Sequence, residues 1–368
     1  MMTAVPSLLP EPDLDLGIAD GRLLAASEPA EIRGGGRDDV RLLLQERESG
    51  RVEHRHFREL PDLLRRGDLL VVNRSATLPA SLPALDAAGR PLRLHVAQRL
   101  GAGLYRLEAR GADGLQPAER VPAAGERLSL ARGQGDRLGL KVMRRASATS
   151  RQVVAAVDGS RSLLPWLVES GQAIRYAYVP RAWPIEFYQT VFAGPPGSAE
   201  MPSAARPFSQ GTLAALRRHG VRVVALTLHC GLSSEEVAGS LTQHYLPPEF
   251  YRLPAATVRA ILETRASGGR VIAVGTTVVR AIVSATRGGT LAAGRGLAGA
   301  VVRPGTDVRL IDGLLTGLHT PRSSHLAMLE AFAPPEHLRL AYEAAIERDY
   351  LWHEFGDVHL ILPGGPEA

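Results

Sequence analysis

The sequence predicts an α/β fold: a mixed, largely parallel sheet domain with helical crossovers, which carries an inserted small β-barrel domain. Two patterns predict it. Over 209–275, helical segments alternate with near-continuous apolar runs, which is typical of buried parallel strands joined by helices. Between about residue 79 and residue 157, short alternating segments are broken by Gly, Pro and Asp, which indicates a small barrel.

The first part of the chain divides at a change in texture near Arg37. Residues 1–36 are rich in Pro, Asp and Gly, and predict a loosely packed entry segment. Beyond them, apolar runs at 40–45 and 69–73 predict buried strands, separated by a polar helix-like segment over 58–66. We expect three parts: the entry segment 1–36, a main α/β catalytic domain of 37–78 and 160–368, and a barrel domain of 79–159.

The later elements have recognisable ends. Ser209 is a good N-cap and Gly220 a good terminator, and the run 221–229 after them predicts a strand. Pro254 predicts the start of a second helix, which ends near residue 269 before a strand over 270–275. Two more helices are expected, from Ser323 to about 332 and from Pro335 to about 349. Barrel strands are expected at 92–97, 104–109, 127–130, 138–142 and 152–157.

Bulk composition excludes several classes of protein. The 368 residues are 45% hydrophobic and 22% charged, which suits a folded chain and excludes a disordered one. Cys230 is the only cysteine, which excludes an internal disulfide and a thiolate zinc cluster. No apolar run reaches the roughly 18 residues of a membrane span, so we expect a cytoplasmic protein without a membrane partner.

The charge balance is compatible with a phosphate-bearing partner but does not require one. The net charge is +5, and Lys141 is the only lysine among the basic residues. Arginine pairs well with phosphate oxygens. The arginines are interspersed with acidic residues, so a solvated mixed-charge surface explains the pattern equally well.

A turn after a buried strand is the first candidate site. Gly275, Thr276 and Thr277 lead from the strand into a helix that carries Arg280. Backbone N–H groups, the two hydroxyls and the helix dipole would converge there on an anion such as a carboxylate or phosphate. A tight capped turn with no ligand has the same residues, and both interpretations remain open.

A second candidate lies in the segment 310–324, where Asp312, His319, Arg322 and Ser323 fall in one strand, loop and helix unit. The loop carries more polar chemistry than a connection requires. His319 suits an acid–base or ligand-binding role, or a hydrogen-bonded structural one.

Two more polar groups interrupt apolar runs. Tyr188, Gln189 and Thr190 lie in the run 187–192, which predicts a strand whose polar side chains need a ligand or a neighbouring backbone as partner. His229 is expected at a strand's end. A His54/His56 pair alternates along one face, but no third ligand is near in sequence, which favours a solvated strand over a metal site.

Many of these segments, in this order, resemble the S-adenosylmethionine:tRNA ribosyltransferase-isomerase family of queuosine biosynthesis. The resemblance covers most of the chain from Arg37 onward. The matching segments include 37–43, 56–61, 67–73, 188–193, 227–229, 268–277 with Arg280, 312–316 with His319, Pro321 and Ser323, and Tyr350 followed by 355–357.

The resemblance implies a transferase-isomerase reaction. The ribosyl part of S-adenosylmethionine, a co-substrate, moves to the 7-aminomethyl group of 7-deazaguanine in tRNA, which gives epoxyqueuosine with release of adenine and methionine. That chemistry needs a base, a donor for the leaving adenine and an unprotonated amine, but no metal. The resemblance implies catalytic roles for His319, Asp312 and His229, cofactor contacts for Gly275, Thr276, Thr277, Arg280 and Ser323, and substrate contacts for Asn73, Tyr188, Gln189, Thr190, Ser203 and Arg322.

Several loops depart from the family pattern. Residues 74–76 are Arg, Ser and Ala where the family has Asp, Thr and Arg, and two histidines of the family pattern are replaced within 202–208 and 246–249. The departures fall in polar loops of the kind that surround substrate. Three functions follow as alternatives: the tRNA-modifying enzyme, an S-adenosylmethionine-using enzyme for a free small acceptor, and a non-catalytic nucleotide- or RNA-binding relative. A monomer or a homodimer fits each of them.

Overall fold

The two main β-structures of the fold are a nine-stranded mixed sheet and a closed six-stranded barrel. The computed structural model describes residues 24–132, 136–148, 150–232, 247–319 and 324–364. The mixed α/β fold with a barrel confirms the fold class predicted from the sequence.

The strands, in chain order, have the following bounds: β1 Leu24–Ala25, β2 Arg41–Glu46, β3 Val52–His56, β4 Leu69–Asn73, β5 Ala76–Thr77, β6 Ser81–Leu85, β7 Pro91–Gly101, β8 Leu104–Arg110, β9 Arg127–Arg132, β10 Asp136–Arg145, β11 Gln152–Val157, β12 Pro196–Ser198, β13 Arg222–Leu228, β14 Glu249–Leu253, β15 Val271–Val274, β16 Thr286–Arg287, β17 Thr290–Leu291, β18 Gly294–Ala298, β19 Gly313–Gly317, β20 Leu351–Trp352 and β21 Val358–Leu362. The α-helices are α1 Leu60–Leu63, α2 Leu164–Ser170, α3 Gln210–Arg218, α4 Ala255–Ala266, α5 Thr276–Ala285, α6 Ser324–Leu329 and α7 Pro335–Glu347. Short 3₁₀ turns cover Phe57–Glu59, Asp158–Ser160, Ile185–Tyr188 and Ser203–Ala205.

The main sheet has the strand order β18-β14-β13-β4-β15-β19-β21-β2-β3. Its centre is four parallel strands, β13, β4, β15 and β19. All five residues of β4 are buried, because α4 and α5 cover one face of the sheet and α1 and α3 cover the other. A strand buried on both faces must be apolar on both faces, which is why β4 reads as a continuous hydrophobic run.

The barrel closes in the order β10-β11-β8-β7-β6-β9, with every pair antiparallel. Its core is a separate apolar cluster that α2 joins through Trp166 and Leu167. The six strands lie within the range 79–159 that the sequence analysis assigned to an inserted domain. The domain boundaries themselves stay a prediction.

Most sequence-predicted elements are present. Ser209 caps α3 by accepting a hydrogen bond from the backbone N–H of Thr212, and the predicted strand over 69–73 coincides with β4. The predicted strand over 187–192 is wrong, because the chain forms a 3₁₀ turn after Pro184 and pairs with no neighbouring ladder. The barrel strand β6 was missed. Ser323, the expected cap of α6, lies outside the described residues.

Part of the entry segment predicted over 1–36 contacts the body of the protein. β1 pairs in parallel with β20, and Ala26 donates to the carbonyl of Trp352. Ala26 and Ala30 are buried, since their small side chains fit against the body of the protein. Residues 1–23 lie outside the described residues. Among the described helices, none is long and apolar enough to cross a membrane.

Two aspartates hold the amino-terminal edge of the parallel strands. Asp68 accepts hydrogen bonds from the backbone of Arg65 and from both the backbone and the guanidinium of Arg270. Asp312 accepts two bonds of 2.8 Å from the Arg265 guanidinium and one from the Val271 backbone. Buried carboxylates need partners of this kind, so the pairs fix where β4, β15 and β19 begin.

We expect Asp68→Ala to lower the free energy of unfolding by about 3 kcal/mol, because it leaves the nearly buried Arg270 guanidinium without its carboxylate. Urea unfolding followed by circular dichroism measures the change. Asp39→Ala is the matched control, since it removes a half-exposed partner of Arg58 and should cost below about 1 kcal/mol. Equal losses for the two variants would contradict this account of the edge.

Candidate functional site

The carboxyl ends of the four central parallel strands meet at one edge of the sheet, opposite the edge held by Asp68 and Asp312. The loops that leave this edge begin after Asn73 in β4, Leu228 in β13, Val274 in β15 and Gly317 in β19. Ligands bind at this edge in open α/β sheets, because the loops and helix amino termini converge there. It is therefore the candidate active site.

Asn73 joins three of the structural elements at this edge. Its amide nitrogen donates to the Leu228 carbonyl at 2.8 Å and to the Thr277 hydroxyl at 3.3 Å. Its amide oxygen accepts from the backbone N–H groups of Ser75 and Leu228, each at 3.0 Å. Asn73 is fully buried, and these bonds are all made within the protein. Its side chain therefore holds the loops together, in place of the expected contact with substrate.

His229 stands at the end of β13, as the sequence predicts, and its ring is oriented by two serines. Ser75 Oγ lies 2.7 Å from His229 Nδ1, and Ser198 Oγ donates to Ser75 at 2.7 Å. Ser198 in turn accepts from the backbone N–H of Cys230. With its oxygen accepting from Ser198, Ser75 can donate to His229 Nδ1, and in that tautomer the ring proton lies on Nε2.

The His229 ring is clamped between two surfaces. Phe250 stacks on it with ring centroids 5.8 Å apart, and Gly197 approaches so closely that a Cβ there would collide with the ring. Burial lowers the pKa of His229 below its usual value. The imidazole is therefore neutral and fixed in position, a state suited to a hydrogen-bond donor in catalysis.

The turn after β15 has the geometry of an anion site. Gly275 has φ +93°, a conformation that a side chain rarely adopts, and it caps the ten-residue helix α5. The first turn of that helix leaves backbone N–H groups without helical partners, beside the hydroxyls of Thr276 and Thr277. The Ser203–Ala205 turn packs alongside, with Ala204 next to Gly275. The turn that contains Ser203 therefore lies next to Gly275, Thr276 and Thr277.

Arg280 does not face this anion site. Its guanidinium is buried, pairs with Glu249 and donates to the Ala298 carbonyl at 3.0 Å. Glu249 also accepts a bond from the Gly231 backbone. Arg280 lies one turn into α5 and points toward β14 and β18. Its guanidinium is paired with the Glu249 carboxylate, and through Glu249 it supports the loop after β13.

His319 lies after β19, beside the strand that precedes Gly275. Its Nε2 is 3.3 Å from the Thr316 hydroxyl, and its ring stacks on His325 with centroids 4.1 Å apart and planes 10° apart. Burial lowers the pKa of His319 well below its usual value, and His325 and His353 lower it further. The imidazole is therefore neutral, and one ring nitrogen has a lone pair that can accept a proton.

Asp312 is a correction to the sequence analysis, which placed it in one unit with His319. The five residues of β19 separate the two, and Asp312 lies at the opposite edge of the sheet, paired with Arg265. Its side chain therefore has a structural role. Arg322 and Ser323 lie outside the described residues.

The side chains of Gln189 and Thr190, expected to contact substrate, are bonded within the protein, whereas the buried Tyr188 hydroxyl has no hydrogen-bond partner among the described residues. Both polar atoms of the Gln189 side chain bond the backbone of Thr77, and the Thr190 hydroxyl accepts from the Phe192 backbone. Tyr188 is buried against Phe355. The Gln189 side chain therefore bonds the Thr77 backbone in the way a neighbouring strand would, because the 3₁₀ turn makes no ladder hydrogen bonds.

Sequence reasoning missed Ser75, Ser198 and His325, which orient the two histidines. Ser75 follows a buried strand at the position of a polar loop residue, which is the one signal that pointed to it. His325 and Ser198 carry no such signal. Within the part of the chain that the structure describes, no three His, Cys, Asp or Glu side chains are arranged to hold a metal ion.

Known proteins similar to this chain share its length and organisation. A family model described as "Queuosine biosynthesis protein" matches residues 21–361. The S-adenosylmethionine:tRNA ribosyltransferase-isomerase of Thermotoga maritima is 32% identical over 92% of this chain and 96% of its own length. The enzyme of the same name from Thermus thermophilus is 36% identical over 89% and 93%.

A solved structure is also similar. The crystal structure of S-adenosylmethionine tRNA ribosyltransferase from Thermotoga maritima aligns with a TM-score of 0.51 and 26% identity, and the alignment covers 96% of this chain and 99% of that one. The family model, the relatives and the fold agree. This chain belongs to the S-adenosylmethionine:tRNA ribosyltransferase-isomerase family of queuosine biosynthesis proteins.

Proposed function

We propose that this protein transfers the ribosyl moiety of S-adenosylmethionine to the 7-aminomethyl group of 7-deazaguanine in tRNA, with release of adenine and methionine. The observation that carries the proposal is the pair of neutral histidines, His229 and His319, at the edge where the capped turn Gly275 opens helix α5. Membership of the family supports the reaction class.

The anion site accounts for how the co-substrate is held. The N–H groups at the start of α5, with Thr276 and Thr277, suit the carboxylate of its methionine part. S-adenosylmethionine supplies the sulfonium, which acidifies the neighbouring carbon and makes a leaving group. Gly275 is required there because its positive φ lets the backbone turn toward the anion.

The two histidines have different roles in the proposed reaction. His319, kept neutral by burial and by the neighbouring histidines, takes the proton from the carbon beside the sulfonium. His229 carries its proton on Nε2 when Ser75 donates to Nδ1, and its N–H donates a hydrogen bond to the departing adenine. Because the pKa of both groups is lowered, both remain neutral through the physiological range.

The proposed reaction is tested directly with purified protein, S-adenosylmethionine and tRNA that carries 7-aminomethyl-7-deazaguanine. We expect adenine release, followed by chromatography, in step with formation of epoxyqueuosine, followed by mass spectrometry. A parallel reaction contains the free base as acceptor. Turnover of the free base alone would replace tRNA by a small-molecule acceptor, and failure to bind S-adenosylmethionine would contradict the enzymatic function.

We expect His319→Gln to lower the rate of adenine release by about 100-fold or more, because general base catalysis contributes at least that factor. The affinity for S-adenosylmethionine, measured by calorimetry, should stay close to that of the unaltered protein. His56→Gln is the matched control, since His56 is exposed on β3. A His319→Gln protein that keeps its rate would exclude His319 as the base.

Gly197→Ala tests the position of His229 without removing its imidazole. The added methyl group meets the ring, so we expect turnover to fall about tenfold or more while the fold persists. Gly101→Ala is the matched control, because a Cβ at Gly101 lies in open space. Unchanged turnover in Gly197→Ala would show that the orientation of His229 is not needed.

A further inference from the structure

Three aromatic side chains, Tyr176, Tyr178 and His353, form a stacked column beside His319. Tyr178 stacks on His353 with centroids 4.1 Å apart and planes 11° apart, and Tyr176 continues the column 5.8 Å from Tyr178 at 23°. All three rings are partly exposed. They come from two distant segments, the one after α2 and the turn between β20 and β21, so tertiary structure alone assembles them.

The column lies at the same edge of the sheet as the candidate active site. The His353 backbone N–H approaches the Leu318 carbonyl at 3.3 Å, directly before His319. His353 is close enough to His319 to lower its pKa. It adopts φ +72°, a conformation that non-glycine residues take up rarely.

Two carboxyl groups are fixed to the column by the tyrosine hydroxyls. Tyr178 Oη donates to Glu354 Oε2 at 2.5 Å, and Tyr176 Oη donates to Glu200. The two carboxyl groups also interact with each other, since Glu200 acts to raise the pKa of Glu354. A partly exposed stack of rings with two acidic groups beside it matches a planar heterocycle whose edge carries hydrogen-bond donors.

We propose that this column, with Glu354 and Glu200, is the pocket that receives the acceptor's 7-deazaguanine base. The base extends the ring stack, and its N1–H and 2-amino group donate to the Glu354 carboxylate. The inference rests on the proposed function and assigns its acceptor site. Gly275 follows β15, and His353 bonds Leu318 after the neighbouring parallel strand β19, so we place the meeting point of the two substrates at His319.

The chemistry of the edge favours a guanine-type base over adenine. N1–H and the 2-amino group are two donors side by side, which match the two oxygens of a carboxylate. Adenine presents one donor and one acceptor at the same edge, which a carboxylate does not match. Of about four acceptor positions on the Glu354 carboxylate, Tyr178 and the residue's own N–H occupy two, so two remain that can accept from the base.

The pKa of Glu354 is raised to about 7: burial is the main cause and Glu200 adds to it, whereas the Tyr178 hydrogen bond and Arg206 act in the opposite direction. Tyr188 also faces Glu354. A raised pKa means that the carboxylate form, which accepts both donors of the base, is populated above about pH 7 and lost below it. Affinity for the base should therefore rise as the pH increases through 7.

Calorimetry on the full chain tests this with 7-aminomethyl-7-deazaguanine as the probe, and with S-adenosylmethionine titrated separately. We expect Glu354→Gln to weaken base binding about tenfold, equivalent to about 1.4 kcal/mol, and to abolish the rise with pH, while cofactor affinity stays unchanged. Tyr178→Phe keeps the stack and removes the hydroxyl, so a smaller loss is expected. Glu263→Gln, at the exposed surface of α4, is the matched control.

A second probe, the analogue that lacks the 2-amino group, distinguishes direct contact from a structural role. It should bind the unaltered protein more weakly than the full base, and bind Glu354→Gln with the same affinity as the full base does. A Glu354→Gln protein that binds the base normally, or that loses cofactor affinity instead, overturns the assignment. So does an unaltered protein that does not bind the base. Base binding with these dependences but without adenine release would retain the pocket and reject the proposed reaction.

Discussion

The buried amide of Asn73 is the interaction on which the candidate site depends. One side chain reaches the end of β13, the loop after β4 and the first turn of α5, and it uses both its oxygen and its nitrogen to do so. Because Asn73 is fully buried, breaking these bonds would leave polar groups unpaired inside the protein. The loops that carry His229 and Gly275 therefore hold a single arrangement.

Desolvation is the second constraint that shapes the site. His229, His319 and His353 all have pKa values lowered by burial, with His353 at about 4. A family chemistry that begins with a sulfonium and ends with a neutral amine gains nothing from extra positive charge beside the co-substrate. A neutral imidazole can donate one hydrogen bond and accept one proton without repelling the sulfonium, so several histidines are compatible with a cationic substrate.

The polar loops at the candidate site depart from the family pattern but still carry polar side chains that are hydrogen-bonded there. Where the sequence departs from the family pattern at 74–76, the structure has the serine that orients His229, and in the loop after β12 Glu200 is bonded to Tyr176. At the far edge, Asp68 and Asp312 fix the strands without taking part in the site. The division agrees with the physics of parallel sheets, in which one edge carries stability and the other carries chemistry.

The sequence by itself determined the fold class, most strands and helices, and the placement of Gly275, His229 and His319 at strand ends, since local periodicity and capping encode these features. It could not separate Asp312 from His319, because residues close in the chain can lie at opposite ends of one strand. Nor could it assign Gln189 to the Thr77 backbone or Arg280 to Glu249, because the partners are distant in sequence. The column of Tyr176, Tyr178 and His353 was decided by tertiary structure alone, since packing joins segments that no local pattern connects.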